Sequence, residues 1–531
     1  MTLRRTLLLL AIPASAADAQ SAFVHVMRGD TIQIETFTRT ATRIDGEVTP
    51  KGGIRQSYSN AIRSDGLLGT LTLKGFSPGA RADAPPMLTA ELSMKGDTAI
   101  ALMAMQGQAP QTQRIPSVAD ANPILNTSIA VFEVLIQGAR RGGASSATRQ
   151  LFLASGGKTY PATLDGLKGD SVFTAIAGQP FYFITDTAGR IIRAGLPGQP
   201  LTITRVDGIA VSKIGFAKPD YSPPAGAPYT AESVTVPTTF GHTLGGSFTK
   251  PTALTGRLPV VISITGSGAQ DRDEHIGLVP GGYRPFRQLA DTLGKRGIAM
   301  LRMDDRGFGA SGGSFAAATS GDFANDIRAA IAYLRARPDV DPRKIFLTGH
   351  SEGGLVAPMV AADDPALAGI VLLAGPGRTG RAILEFQVKY SIERDTSLSP
   401  AKRAADLARV PMTVDSLLKT TPWLTFFGTH DPLATARRVK TPVLILQGGD
   451  DQQVIAAETP LLEAAFRSGG NTDVTARVFP QLNHLFILQP GGDPSGYAML
   501  ATNLASPAVL GMAVDWIAER ARRPAVRRMK Q

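Results

Sequence analysis

The sequence Gly-His-Ser-Glu-Gly at residues 349–353 could present a serine hydroxyl for nucleophilic attack. A short apolar run, residues 345–348, precedes it, and a helix-compatible run, residues 354–362, follows it. A strand, a tight turn and a helix in this order hold the central serine in a strained conformation above the sheet edge. Glycines are needed on both sides because neighbouring backbone comes too close for a Cβ atom. The G-x-S-x-G pattern occurs by chance in loops, but in this context it predicts Ser351 as a nucleophile.

A serine hydroxyl is a weak nucleophile, so it needs a general base, and the base needs an acid that orients it. The chain offers both in the order Ser, Asp, His. Asp451 follows the predicted strand 443–446 and is the favoured acid, with the adjacent Asp450 as the alternative. His484 lies in the loop after the last predicted strand and is the predicted base. His350 lies inside the serine turn and is expected to point elsewhere.

Two backbone N–H groups are needed to stabilise the oxyanion that forms during acyl transfer. One is predicted to be that of Glu352, directly after the nucleophile. The other is predicted in the Gly-Ser-Gly turn at residues 266–268, at Ser267, with Gly268 as the alternative. This turn lacks the full G-x-G-x-x-G pattern and no Walker lysine follows it, which argues against a nucleotide site. The chemistry requires no metal and no other cofactor.

The elements that must position these residues alternate between strands and helices from about residue 229 onward. This alternation predicts a mostly parallel sheet with helices on both faces, over residues 229–522. Ligands bind such sheets at the carboxyl ends of the strands, where all the loops named above fall. A long helical insertion separates the strand at 370–374 from the strand at 443–446. Residues 523–531 form a basic tail.

The first part of the chain, residues 22–218, has a different pattern of apolar and polar residues. Short alternating or β-branched runs recur between Gly- and Asp-containing turns, which predicts a mostly antiparallel β-rich domain. Residues 123–140 carry apolar side chains at helical spacing, so one helix is expected, held by a curved sheet. The Pro-rich stretch 219–228 is predicted to be a stiff linker.

Residues 1–19 predict a secretory signal peptide. Arg4 and Arg5 precede a short apolar run at 7–12, and small residues suitable for a signal peptidase follow. The apolar run is too short to span a bilayer, so we expect export to the periplasm or the medium without stable membrane insertion. The net charge of +11 comes without a nucleic-acid-binding motif, so no nucleic-acid partner is expected. The absence of cysteine excludes disulfides and a thiolate nucleophile.

Residues from about 229 to 520 resemble the α/β-hydrolase superfamily, and more narrowly bacterial esterases near the serine aminopeptidase group. The stretches that carry the resemblance are residues 266–268 with 270–274, 305–309, 349–354, 373–377 and 483–486. The resemblance implies hydrolysis of carboxylic esters, often with short acyl chains. It also implies a helical cap, here about residues 377–438, in which Trp423, Phe426 and Phe427 are acyl-pocket candidates.

The sequence therefore predicts an exported serine esterase that acts on a small-molecule ester through an acyl-enzyme. One alternative is an aminopeptidase or acyl-peptidase, which would need an acidic group, such as Glu352 or Asp273, for the substrate amine. An alternative of another class is an envelope binding protein whose β-rich domain captures a hydrophobic ligand. The natural substrate, the acyl-chain length and the oligomeric state stay open.

Overall fold

A computed structural model describes residues 20–523, apart from residues 28, 52, 77–84, 107–108, 217–218, 253–255 and 397. The predicted secretory signal and residues 524–531 of the predicted basic tail lie outside the described residues. The chain forms two compact units that divide between residues 218 and 219. None of the described helices combines the length and the apolar character that crossing a bilayer requires.

The N-terminal unit is one 15-stranded sheet that packs against one helix. Its strands are β1 (Ser21–Met27), β2 (Asp30–Arg39), β3 (Arg43–Pro50), β4 (Arg55–Ile62), β5 (Leu68–Phe76), β6 (Leu88–Lys95), β7 (Thr98–Met105), β8 (Gln111–Pro116), β9 (Asn122–Ile124), β10 (Ser146–Leu153), β11 (Lys158–Asp165), β12 (Ser171–Ile176), β13 (Gln179–Thr185), β14 (Ile191–Gly195) and β15 (Leu201–Asp207). The spatial order runs from β8 back to β1, then from β15 back to β9. Neighbours pair antiparallel except β9 with β10, which confirms the predicted β-rich domain.

The helix of this unit, α1 (Ala130–Arg140), is shorter than predicted, because the first residues of the expected helix 123–140 belong to β9. The buried Glu35 carboxylate fixes the start of the helix. Its Oε2 accepts hydrogen bonds from the backbone N–H groups of Ile129 (2.7 Å) and Ala130 (3.2 Å). The first N–H groups of a helix have no partner within the helix, so this carboxylate supplies the acceptor they need. Nine of the eleven residues of α1 are buried, and they form the centre of the core.

The C-terminal unit is built on an eight-stranded sheet with the order β16-β17-β19-β18-β20-β21-β22-β23. The strands are β16 (Tyr229–Pro237), β17 (Thr243–Pro251), β18 (Leu258–Ile264), β19 (Ala299–Met303), β20 (Val340–His350), β21 (Gly369–Leu373), β22 (Val443–Gly448) and β23 (Val474–Phe479). The helices are α2 (Pro285–Lys295), α3 (Ser320–Ala336), α4 (Gly353–Ala361), α5 (Gly380–Arg394), α6 (Pro400–Leu417), α7 (Pro422–Thr429), α8 (Pro432–Arg438), α9 (Glu458–Ser468) and α10 (Pro507–Arg522). The strand β17 pairs antiparallel with β16 and β19, and the remaining pairs are parallel.

Helices cover both faces of this sheet, as the alternation of strands and helices predicts. Residues of α2 and α10 form one core layer with the strands, and residues of α3, α4 and α9 form the other. The central strands are buried on both faces, which explains their continuous apolar runs. This architecture confirms the predicted fold class.

Four helices lie between β21 and β22, in the segment predicted to be a cap. The last of them, α8, places Ala436 in the same core layer as α9, so it belongs to the body of the unit. The cap therefore consists of α5, α6 and α7, and it ends before the predicted limit at residue 438. Side chains of α5 and α7, among them Ile383 and Phe427, line one cavity together with Ser351.

Candidate active site

The serine turn joins β20 to α4 at the carboxyl end of the sheet. Ser351 has a φ of +52°, a backbone conformation that is strained for a residue with a side chain. A Cβ atom on Gly349 would lie 2.0 Å from the Gly353 carbonyl oxygen, and one on Gly353 would lie 2.1 Å from that of Ile264. Both glycines are therefore required by close backbone approach, as the motif predicts. The Ser351 N–H donates to the carbonyl of Leu373 (2.9 Å) and ties the turn to the next strand.

The predicted base and acid are in direct contact. His484 Nδ1 lies 2.7 Å from Asp451 Oδ2, and the two residues are 4% and 1% exposed. Asp451 Oδ1 accepts hydrogen bonds from the backbone N–H groups of Gln453 (2.7 Å) and Val454 (2.9 Å), which hold the carboxylate in place. Because the carboxylate accepts the proton of Nδ1, the Nε2 atom of a neutral His484 is free to act as a base.

The alternative acid, Asp450, has a different environment. Its Oδ2 accepts a hydrogen bond from the backbone N–H of Gly491 (2.7 Å), and its side chain is only half-buried. The geometry therefore pairs His484 with Asp451, at the position favoured by the sequence, and gives Asp450 a role in fixing a neighbouring loop.

Ser351 and His484 line one cavity of about 340 Å³, and the predicted oxyanion residues Ser267 and Glu352 line it with them. The backbone N–H groups of Ser267 and Glu352 have no acceptor within the described part of the chain. The turn that carries Ser267 is close to the nucleophile, because a Cβ atom on Gly266 would lie 3.3 Å from the Cβ of Ser351. Two unsatisfied donors beside a serine hydroxyl can bind the oxygen of a tetrahedral intermediate.

His350 has a role that sequence reasoning missed. Its Nδ1 lies 2.7 Å from Glu274 Oε1, and its Nε2 lies 3.0 Å from the backbone carbonyl oxygen of His484. The carbonyl oxygen can only accept, and so can an ionised Glu274 carboxylate, so with Glu274 ionised both ring nitrogens carry protons and the ring is an imidazolium. The pair thus fixes the backbone of the loop that carries the base. Glu274 is 76 residues from His350 along the chain, and no local pattern joins the two.

The charge of His350 predicts how stability changes with pH. Burial would lower the pKa of His350, but attraction to Glu274 and hydrogen bonds to Glu274 and the His484 carbonyl outweigh it, so the pKa lies above 6.5. The stabilisation that comes from a pKa raised in the folded state is fully present below pH 6.5, and it is lost as the pH rises through the folded-state pKa. At low pH, we expect the unfolding free energy of the wild type to be about 1–3 kcal/mol larger than that of His350→Asn. At high pH, this difference should be smaller.

Urea unfolding followed by tryptophan fluorescence measures this difference, since both tryptophans, Trp423 and Trp516, lie in the C-terminal unit. Glu274→Gln is the matched control, because it removes the charge that raises the pKa of His350 while keeping the side-chain shape. A constant gap between wild type and His350→Asn across the pH range would contradict the proton assignment.

Glu352 connects the serine turn to the cap. Its Oε1 accepts hydrogen bonds from Ser320 Oγ (2.6 Å) and from Trp423 Nε1 in α7 (2.7 Å). Burial raises the pKa of Glu352, and hydrogen bonds from Ser320, Trp423 and Ser267 oppose that shift. The Trp423 ring stacks on Phe427 at 5.4 Å, and both rings line the cavity.

Two sequence candidates lie outside the cavity. Phe426 stacks on His430 and does not line the cavity, so the structure does not support it as an acyl-pocket residue. Asp273 is fully buried and forms an ion pair with Arg302, also away from the cavity lining. Of the two carboxylates considered for an amine site, only Glu352 therefore reaches the cavity.

The parallel sheet with helices on both faces, together with a serine on a strained strand-to-helix turn, defines the C-terminal unit as an α/β hydrolase. A family model described as serine aminopeptidase, S33, matches residues 281–490, which contain Ser351, Asp451 and His484. The chain is 28% identical over 285 residues to esterase EstD of Thermotoga maritima, covering 53% of this chain and 65% of EstD. The family model and EstD thus make the C-terminal unit similar to esterase-like α/β hydrolases.

A second relative, the uncharacterized protein YfhR of Salmonella typhi, is 32% identical over 143 residues, which are 26% of this chain and 43% of YfhR. The chain spans less than two thirds of the length of each of these two relatives. Among solved structures, the Pyrococcus furiosus esterase PF2001 is similar at 18% identity and a TM-score of 0.39, covering 58% of this chain and 96% of the esterase.

Proposed function

We propose that this protein is a serine esterase that hydrolyses carboxylic esters of small molecules through an acyl-enzyme. The observation that carries the proposal is the His484–Asp451 pair, joined at 2.7 Å, in the wall of the cavity that Ser351 also lines. The similarity to esterase EstD supports ester hydrolysis as the reaction class. The resemblance to esterases of short acyl chains makes such chains the first substrates to test.

Each residue has one role in the proposed reaction. His484 Nε2 takes the proton of Ser351 as its Oγ attacks the ester carbonyl, and Asp451 stabilises the imidazolium that forms. The backbone N–H groups of Ser267 and Glu352 hold the oxyanion. His484 then gives its proton to the leaving alcohol, and water, activated by the same histidine, hydrolyses the acyl-enzyme to a carboxylic acid.

A substrate panel on the purified protein tests the proposal. p-Nitrophenyl esters of increasing chain length report esterase activity, and a fluorophosphonate probe reports an activated serine. We expect turnover of the short esters and covalent labelling. The absence of both ester turnover and covalent labelling would refute the proposal.

Aminoacyl p-nitroanilides in the same panel separate the aminopeptidase alternative, to which the name of the matching family model points. That activity needs an acidic group for the substrate amine. Glu352 lines the cavity, and Ser320 and Trp423 donate to its Oε1, but burial raises the pKa of Glu352 and so disfavours the carboxylate anion that would pair with an amine. We therefore expect amide turnover well below ester turnover.

The binding-protein alternative would need space inside the β-rich unit. The buried side of the sheet packs against α1, whose residues fill the centre of the core. This packing favours a structural role for the helix over a cavity for a hydrophobic ligand.

We further propose that the protein is exported to the periplasm or the medium. The support is the order of basic, apolar and small residues within positions 1–19. Cell fractionation with N-terminal sequencing of the mature protein tests this, with Leu8→Arg as the variant that interrupts the apolar run. A full-length, cytoplasmic product for the wild type would contradict export.

A further inference from the structure

Three polar side chains from separate segments meet on one side of the catalytic cavity. They are Gln387 of α5, Gln453, which lies two residues after Asp451, and Tyr497 of the turn at residues 494–499, and we call them the polar wall. Gln387 Nε2 donates to the Gln453 backbone carbonyl (3.1 Å), and Gln453 Nε2 donates to the Tyr497 hydroxyl oxygen (2.9 Å). These bonds fix the three side chains relative to one another.

The polar wall keeps hydrogen-bonding capacity that the described chain does not use. Neither Gln387 Oε1 nor Gln453 Oε1 accepts a hydrogen bond from a described residue, and the Tyr497 hydroxyl proton has no acceptor among them. Burial raises the pKa of Tyr497, so its side chain stays a neutral hydroxyl. The wall therefore offers two acceptors and one donor, all uncharged, which match the donors and acceptors of alcohol hydroxyl groups.

The position of the polar wall relative to His484 indicates which part of the substrate the wall contacts. The Gln453 backbone N–H donates to Asp451, so the wall stands on the side of the acid and base. His484 must deliver a proton to the leaving oxygen, so the alcohol part of the ester lies on this side. Trp423 and Phe427 form an apolar cluster with Ile383 near the serine turn. We therefore place the acyl group of the ester against this cluster.

The charges around the cavity restrict the substrate further. No lysine or arginine is among the described residues that line it, whereas Glu274 and Glu352 are. The His350 ring also lines the cavity, but it is already paired with Glu274 at 2.7 Å. An anionic group in the substrate would therefore find no unpaired cation among the described lining residues and would face Glu352, which disfavours binding.

From these contacts we propose that the preferred substrates are esters of neutral, polyhydroxylated alcohols, such as a sugar or glycerol, with an apolar acyl group. The proposal rests on the esterase function and names its substrate class. Ser351 Oγ forms the acyl bond, the ester C–O bond breaks, and the alcohol leaves with the proton from His484. Water then releases the carboxylic acid and restores the serine.

The test compares kcat/KM for three butyrate esters with different alcohols: glycerol, ethanol and glycolate, the last with a carboxylate. We expect the order glycerol above ethanol above glycolate. Tyr497→Phe and Gln453→Met should each lower the glycerol-to-ethanol ratio by about threefold to tenfold, the effect of one neutral hydrogen bond. The ratio is the readout because a general loss of folding or activity lowers both values together.

Gln452→Met is the matched control, because Gln452 is adjacent in sequence but does not line the cavity. It should leave the ratio unchanged. A wild type that prefers ethyl or glycolate butyrate, or a ratio that Tyr497→Phe and Gln453→Met leave unchanged, would overturn the proposal while leaving the esterase function intact. A wild type that cleaves no ester would instead refute the esterase function itself.

Discussion

Replacing Ser351 with alanine is expected to lower kcat for ester hydrolysis by about six orders of magnitude, as the loss of a serine nucleophile does in other serine hydrolases. The physical reason is that Ser351, on the strained turn directly before the Glu352 N–H, lines the same cavity as His484 and Ser267 and supplies the attacking oxygen. The substitution should also abolish fluorophosphonate labelling. Both effects are measured on the purified protein with p-nitrophenyl esters and the labelled probe.

The fold should survive this change. Position 351 has a positive φ, which strains alanine as it strains serine, so the substitution adds no backbone strain. Alanine adds no atoms, and the bond from the Ser351 N–H to Leu373 is a backbone contact that the substitution leaves in place. Ser416→Ala, on an exposed position of α6, is the matched control and should retain full labelling and turnover. Turnover of p-nitrophenyl esters by Ser351→Ala at more than a trace of the wild-type rate would exclude Ser351 as the nucleophile.

The C-terminal fold could be predicted because its sequence is consistent at several levels. The buried strands β18 and β22 are continuous apolar runs, and α2 begins at Pro285, which suits the first turn of a helix. The candidate residues could be located for the same reason, since Ser351 and Asp451 follow the buried strands β20 and β22, and His484 lies in the loop after β23. The alternation of strands and helices places these loops at one edge of the sheet. A serine nucleophile needs a base and an acid, and His484 and Asp451 are the residues of these loops that fit.

Contacts between residues distant in the chain could not be predicted from the sequence. The ion pair of His350 with Glu274 depends on how two loops approach, and neither residue has a neighbour in sequence that reveals it. The start of α1 was misplaced for a related reason. The apolar spacing continues through residues 123–129, but Asn122 Oδ1 accepts from the Leu68 N–H (2.7 Å) and fixes residues 122–124 as a strand in the sheet, and a turn follows before α1.

Asp451→Asn is expected to lower kcat by about four orders of magnitude, the effect known for the corresponding change in a serine-protease triad. The asparagine amide would present an N–H to His484 Nδ1, which favours the tautomer with its proton on Nε2. That tautomer cannot accept the serine proton, and the imidazolium would also lose the adjacent negative charge. Asp451 is 1% exposed, so solvent cannot replace that charge.

The neighbouring Asp450→Asn is the control, because the two residues are identical in type and adjacent in the chain. Asp450 Oδ2 accepts only from the Gly491 N–H among the described residues, and an asparagine oxygen can accept the same bond. Its kcat should stay within about threefold of the wild type, the range of a substitution that disturbs no buried network. Equal losses in the two variants would mean that the loop is disturbed as a whole. A large loss in Asp450→Asn with little loss in Asp451→Asn would assign the orienting acid to Asp450, since only the true partner of the imidazole controls its tautomer.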